Sequence, residues 1–191
     1  MANKVKYGLS NVYYAKATID ATTGIATYDT PVRIPGAVNM SLDAEGESNK
    51  FRADNVDYWV GQANNGYSGD LEIALIPAAF KKDILGYVED KNNVLVEDVQ
   101  AVTVPFALLF QFEGDQNATR LVLYNCTAGR PSVSGATTDT TIEPQTETLN
   151  LTVASVHNAS LDKDISKASC EYGETPYSTW FESVYSPVVT P

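Results

Sequence analysis

Apolar residues in this chain recur mostly at period two, in short runs separated by clusters of Gly, Asn, Asp and Ser. Residues 64–86 show the pattern most clearly. Asn64-Asn65-Gly66-Tyr67-Ser68-Gly69 reads as a turn, Leu71, Ile73 and Leu75 alternate as the buried face of a strand, and Pro77 changes the structure type. Proline suits the first helical position, Phe80 and Ile84 lie one helical turn apart, and Gly86 can take the left-handed conformation that ends a helix. The block predicts a turn, a strand and a short helix lying as a lid on a sheet, with Phe80 and Ile84 inward and Lys81 and Lys82 outward.

The same reading extends along the chain. Residues 12–19 are β-branched and aromatic, and Asp20-Ala21-Thr22-Thr23-Gly24 turns them into a hairpin with 25–28. Residues 32–42 are extended, with Pro35-Gly36 marking a bulge or an edge, since proline cannot donate to a sheet ladder. Residues 44–50 read as a polar loop. Residues 51–62 return as a strand with Val56, Tyr58 and Val60 on one face and Trp59 on the other. Asp90-Lys91-Asn92-Asn93 is a hairpin turn between 87–89 and 94–97.

Residues 106–112 are apolar on both faces, as in a central strand covered on both sides, and 119–127 return beside them. Residues 129–144 lack periodicity, which in a compact domain marks a functional or disordered loop. Residues 146–156 form a strand with Leu149, Leu151 and Val153 on one face, and 165–172 a weaker one. Thr175-Pro176 then caps a second short helix with Tyr177, Trp180, Phe181 and Val184 at helical spacing. Eight or more strands, two short helices and no strand–helix alternation predict a mainly β chain. The expected form is an antiparallel β-sandwich or barrel with one helix packed on it and extended loops and arms. One domain over 1–191 is expected, with a long loop at 129–144 and a C-terminal extension from 158 onward.

Charge narrows the partners. Thirteen Lys and Arg face twenty-four Asp and Glu, a net of −11. Gripping nucleic acid needs clustered Lys and Arg, so specific binding is not expected, although DNA can pass nearby without sticking. Residues 1–8 have no signal-peptide apolar run, and no window approaches the ~20 apolar residues of a membrane span, so a cytoplasmic site of synthesis and no membrane partner are expected. Cys126 and Cys170 form no Cys-x-x-Cys pair and read as buried structural thiols.

Sequence patterns for catalysis are weak. The one histidine, His157, stands beside Asn158 and Ser160. Ser68 in Gly66-Tyr67-Ser68-Gly69-Asp70 has Asp where a nucleophile elbow needs Gly, in a turn that opens a strand and not a helix. Carboxylate pairs such as Asp54 with Asp57 or Glu143 with Glu147 have no spacing that sets them across a cleft. Phosphate-binding and calcium loops are absent. No enzyme activity, cofactor or metal is expected. Two rivals stay open: a glycan-binding β-sandwich using Tyr58, Trp59 and Tyr67 as a stacking platform, and an acid/base hydrolase using scattered carboxylates. Against the first, the adjacent Tyr58 and Trp59 point to opposite faces of a strand.

Four motifs stand in order between Tyr7 and His157: Pro35-Gly36-Ala37-Val38, the block at 64–86, Gly114-Asp115-Gln116-Asn117-Ala118-Thr119-Arg120, and Ile142-Glu143-Pro144-Gln145-Thr146-Glu147-Thr148. Together they resemble the major tail protein family of long-tailed bacteriophages, the subunit of the tail tube. The match is less clear after Asn158. The resemblance implies a tail-tube β-sandwich that assembles into hexameric rings stacked around a channel for viral DNA. It places the protein in the virion tail, in contact with copies of itself and with other tail proteins. The candidate subunit contacts are the terminal segments and the loops at 43–51 and 129–144, with Glu45, Glu47 and Lys50 in the first loop and Arg130, Val133 and Ile142 in the second.

Overall fold

The computed structural model describes residues 7–114, 117–137 and 144–189. It is mainly antiparallel β with one short α-helix, as the patterning predicts. The strands in chain order are β1 (Leu9–Ile19), β2 (Ala26–Tyr28), β3 (Val32–Arg33), β4 (Ala37–Glu45), β5 (Ser48–Ala53), β6 (Val56–Gln62), β7 (Gly66–Ile73), β8 (Val88–Glu89), β9 (Leu95–Val96), β10 (Phe106–Phe112), β11 (Arg120–Ala128), β12 (Glu147–Ala154), β13 (Val156–Asn158), β14 (Lys163–Ile165) and β15 (Lys167–Cys170). Helix α1 (Ala78–Asp83) lies between β7 and β8.

The main sheet runs β2-β1-β10-β11-β12-β7-β4, with β3 also on β1 and β15 also on β11. Strands β3 and β4 therefore stand at opposite ends of the sheet, yet only Ile34, Pro35 and Gly36 separate them. That connection reaches at most about 14 Å. Six strand spacings laid flat would need about 29 Å. The sheet must roll, and the backbone bonds show that it does. The Ile34 amide donates to the Val12 carbonyl of β1 at 2.8 Å, and the Ala74 amide just beyond β7 donates to the Gly36 carbonyl at 2.8 Å. The Pro35-Gly36 signal thus marks the crossing between the two ends.

Rolling gives the sheet an inside and an outside. Inside lie Tyr14, Ile73, Phe106, Leu108, Leu149 and Val153, joined by Phe80 and Ile84 of the helix region. Phe80 meets Tyr14 and Phe106 edge-on, at 5.0 and 5.4 Å between centroids. The helix ends at Asp83 with Ile84 as its C-cap, two residues before Gly86, which takes the left-handed conformation with φ +75°. Pro77 is its N-cap, one position earlier than the sequence reading had it. Outside, Ala107, Leu109, Val122 and Tyr124 form a second cluster with Trp180, supplied by the C-terminal segment. Strand β10 is consequently buried on both faces.

That C-terminal cover is pinned at several points. The Arg120 guanidinium lies 3.8 Å from the Tyr177 ring centroid and 4.8 Å from that of Phe181, donates to the Tyr177 carbonyl, and its Nε donates to Gln111 Oε1 at 3.0 Å. Trp180 stacks on Tyr185, and its Nε1 donates to the Leu121 carbonyl.

Several local expectations need correction. The polar loop at 44–50 is strand, because β4 extends to Glu45 and β5 starts at Ser48, with the intervening backbone bonded to the return limb. The strand expected at 51–62 is broken by a turn at Asp54-Asn55, where φ is +52° and +64°. The turn expected at 64–69 is shorter, since Gly66 to Gly69 already pair with β12 and β4. Leu75 is exposed because β7 ends at Ile73; Ile76 takes the buried place, its amide donating to Glu147 Oε2 at 2.6 Å. The second helix is only a 3-10 turn, Thr175–Tyr177, although Trp180 is buried as its spacing implies. The weak strand expected at 165–172 is present but shorter, as β15 over Lys167–Cys170, with Ile165 ending β14.

Candidate functional site

The feature that stands apart from this body is the β5–β6 ribbon. Strands β4 and β7 pair within the sheet, and their continuations β5 and β6 pair only with each other. Positive φ at Asp54 and Asn55 suits the tight turn that joins them, whose twist matches a two-stranded ribbon. Six residues of β5 project the tip roughly 20 Å.

Almost nothing on this arm is buried. Phe51 is 61% exposed, Tyr58 74% and Trp59 57%, and Val56 and Val60 are exposed as well. Phe51 and Trp59 stand opposite each other in register, on one face. The Trp59 ring passes over Gly61, where a Cβ would sit 2.1 Å from it, so only glycine lets the indole lie flat on the ribbon. Beside Phe51, Asp57 Oδ2 pairs with Lys50 Nζ at 3.3 Å and its Oδ1 with Arg52 Nε at 3.2 Å. A two-stranded hairpin alone in water is marginally stable, and burying large aromatics stabilises far more than such exposed ion pairs do. The apolar side chains of the arm are uncovered among the described residues.

Of the candidate contact residues, Glu45, Glu47 and Lys50 are exposed at the base and on the first limb of this arm. Arg130 lies elsewhere and is engaged within the chain, pairing with Glu97 Oε1 at 3.2 Å and donating to the Asp98 and Val99 carbonyls. Val133 is fully exposed. Ile142 lies outside the described residues, as do Glu143, Asp115 and Gln116. The arm's tip and aromatic face escaped the sequence reading, although Asp54-Asn55 between two β-prone runs is a recognisable hairpin signal.

The three-ring platform of Tyr58, Trp59 and Tyr67 is not assembled. Tyr67 is half-buried in the body, 4.7 Å from the Lys167 ammonium, so it shares no platform with Tyr58 and Trp59. Glu147 faces Lys81 at 3.6 Å and accepts from the Ile76 amide, a positioning role in the scaffold. His157 has Nδ1 3.2 Å from Asp164 Oδ1 and Nε2 3.8 Å from Asp162 Oδ1. Ser68 sits within β7.

Both cysteines are buried and free. Burial, aided by the nearby Glu174, pushes the Cys170 thiol up to about 11, and burial pushes Cys126 higher still, which keeps both protonated and unreactive. Among the described residues no group of three or more His, Cys, Asp or Glu could hold a metal ion, and no helix is long and apolar enough to cross a membrane. No family model matches the chain, and no curated protein matches it.

Proposed function

We propose that this chain is a structural subunit of a phage tail tube, associating with copies of itself into rings, hexameric by the resemblance, that stack around a channel for viral DNA. The observation that carries the reading is the arm: five large apolar side chains on a well-formed ladder without cover among the described residues. The arm also continues β4, a nine-residue strand that among the described residues pairs with β7 alone. An unpaired edge of that length invites pairing with another chain. Arm and body are different surfaces, so contact between them is head-to-tail, the geometry that generates rings or filaments. The loop carrying Arg130, Val133 and Ile142 is the second candidate contact, and other tail proteins cap the stack. Each subunit contributes a net −11, which repels a phosphate backbone and lets DNA slide without specific binding.

Electron microscopy of the concentrated protein tests this. Rings or tubes are expected, and the double variant Phe51→Ser, Trp59→Ser should abolish them while leaving the circular dichroism spectrum unchanged. Persistent monomers, with and without other tail components, would sink the proposal.

One observation favours a second reading, glycan binding. A shallow groove places Trp59 beside Glu47, Asn49, Gln62 and Asn65, an aromatic face with planar polar neighbours. A glycan array separates the two, since a tube subunit should be silent on it.

A further inference from the structure

The two limbs of the arm are joined at the root but are unequal in length. Backbone bonds run through the root: the Asn65 amide donates to the Glu45 carbonyl at 2.8 Å, and the Ala63 amide to the Glu47 carbonyl at 3.0 Å. Three steps separate Glu45 from Ser48 on the outgoing limb, whereas four separate Gln62 from Gly66 on the return, so one extra residue lies within 63–65. Further out, the single step from Phe51 to Arg52 faces two steps from Trp59 to Asp57, which leaves Tyr58 extra. Both surplus residues fall on the return limb. A bulge bends and twists the strand that carries it, so the arm leaves the sheet at an angle.

Two glycines brace that bend against backbone. The ladder between β12 and β7 stops at the pair Val153 and Tyr67, and Gly66 is the next residue, with φ +100°. A Cβ on Gly66 would run into the Val153 carbonyl oxygen. On the outgoing limb Gly46 follows Glu45, the pairing partner of Gly66, and a Cβ there would run into the Ala63 carbonyl oxygen. Both obstacles are main-chain atoms, which cannot rotate aside as the end of a side chain can, so the close approach holds only with glycine at both positions. The Gly66 amide is held as well, donating to Asn64 Oδ1 at 3.3 Å. The end of β12 therefore acts as a fulcrum for the return limb.

We propose that Gly46, Gly66 and the surplus residue at the root are positioning residues that hold the arm at one fixed angle to the body, and that this angle decides whether head-to-tail contacts close into a ring. The second half rests on the tube reading, because a head-to-tail contact closes only if its rotation does, and otherwise gives an open filament. The test is a pulsed electron spin resonance distance on the dilute full chain. Labels go on Val56→Cys at the arm tip and Thr127→Cys on β11, both exposed positions, while the native Cys126 and Cys170 are buried. The otherwise native chain should give one narrow distance. Deleting Asn64 makes the limbs equal and keeps a regular ladder; it should leave the circular dichroism spectrum unchanged and move the distance by several ångströms, as a lever of roughly 20 Å requires. Gly66→Ala should shift or broaden the distance, and Gly135→Ala, where nothing lies within 4 Å of the added Cβ, should not. In electron micrographs the Asn64 deletion should replace closed rings with open filaments or dissociated chains. A broad distance distribution in the native chain, or an unmoved distance after the deletion, overturns the fixed angle. A moved distance with rings unchanged overturns its role in closure. Native protein that never forms rings overturns the tube reading and the closure role with it, and the distances still decide the angle.

Discussion

Strands β6 and β10 are both seven residues long and both rich in aromatic and aliphatic side chains, Val-Asp-Tyr-Trp-Val-Gly-Gln against Phe-Ala-Leu-Leu-Phe-Gln-Phe. Every residue of β10 except the last is buried, whereas no residue of β6 is. The difference lies in their neighbours. β10 is flanked by β1 and β11, with the rolled interior on one face and the Trp180 segment on the other. β6 has only β5. Apolar content makes a strand able to bury surface, and the surrounding layers decide whether it does. The contrast separates the part of the molecule that holds the fold from the part free to meet another chain.

The largest effect that would test this contrast comes from the buried side. Phe80→Ala or Trp180→Ala, each emptying one face of the β10 layer, should cost about 3–5 kcal/mol, measurable by urea denaturation. A loss below about 1 kcal/mol for Trp180→Ala would show that the outer layer adds little and that β10 is held from inside alone.

Alkaline pH probes the same layers. The Tyr14, Tyr28 and Tyr124 phenols are pushed up, by burial first and, for Tyr14, by the hydrogen bond it donates to Asp83 Oδ2 at 2.8 Å. The unfolded chain releases these protons near pH ~10, so the stability they contribute is fully present below that pH and is lost as pH rises beyond it. The slope is at most about 1.4 kcal/mol per pH unit for each phenol, reduced by solvent screening. Tyr14→Phe should flatten the curve above pH ~10, at a cost near neutral pH of about 1.5–3 kcal/mol for the lost bond to a carboxylate.

On the arm the expected stability effects are small. Phe51→Ser with Trp59→Ser should change the unfolding free energy of the dissociated chain by less than about 0.5 kcal/mol. A larger loss would mean that the arm contributes to its own chain's fold, and the contrast with β10 would fail. Smallest of all, Lys50→Ala should leave thermal stability unchanged within about 0.5 kcal/mol, since its pairing with Asp57 is solvent-exposed.

Much of the scaffold was legible before any coordinates. Leu149, Leu151 and Val153 alternate and are buried, Phe80 and Ile84 at helical spacing point inward, and the double-sided apolar run at 106–112 is the doubly covered strand. Misreadings fell where pairing overrode local composition. Residues 44–50 are polar enough for a loop, yet they form strand because a return limb lies opposite, and the ladder satisfies the backbone whatever the side chains are. Leu75 continued an alternation that the chain abandons after Ile73. The candidate site was half visible: Glu45, Glu47, Lys50, Tyr58 and Trp59 were named, but as a loop and a rival's platform instead of two limbs of one arm.

Sequence alone determined the local quantities: which segments extend, that Gly86 turns left-handed just past the helix, which side chains are apolar on one face or both, and a net charge of −11. These depend on dihedral preference and residue type within a few positions. Tertiary structure decided that β3 and β4 meet across a rolled sheet, that a C-terminal segment covers the outside of β10, and that β5 and β6 leave the body. Those outcomes depend on contacts between residues as far apart as Leu109 and Trp180, and nothing in a residue's own neighbourhood encodes which distant partner will cover it.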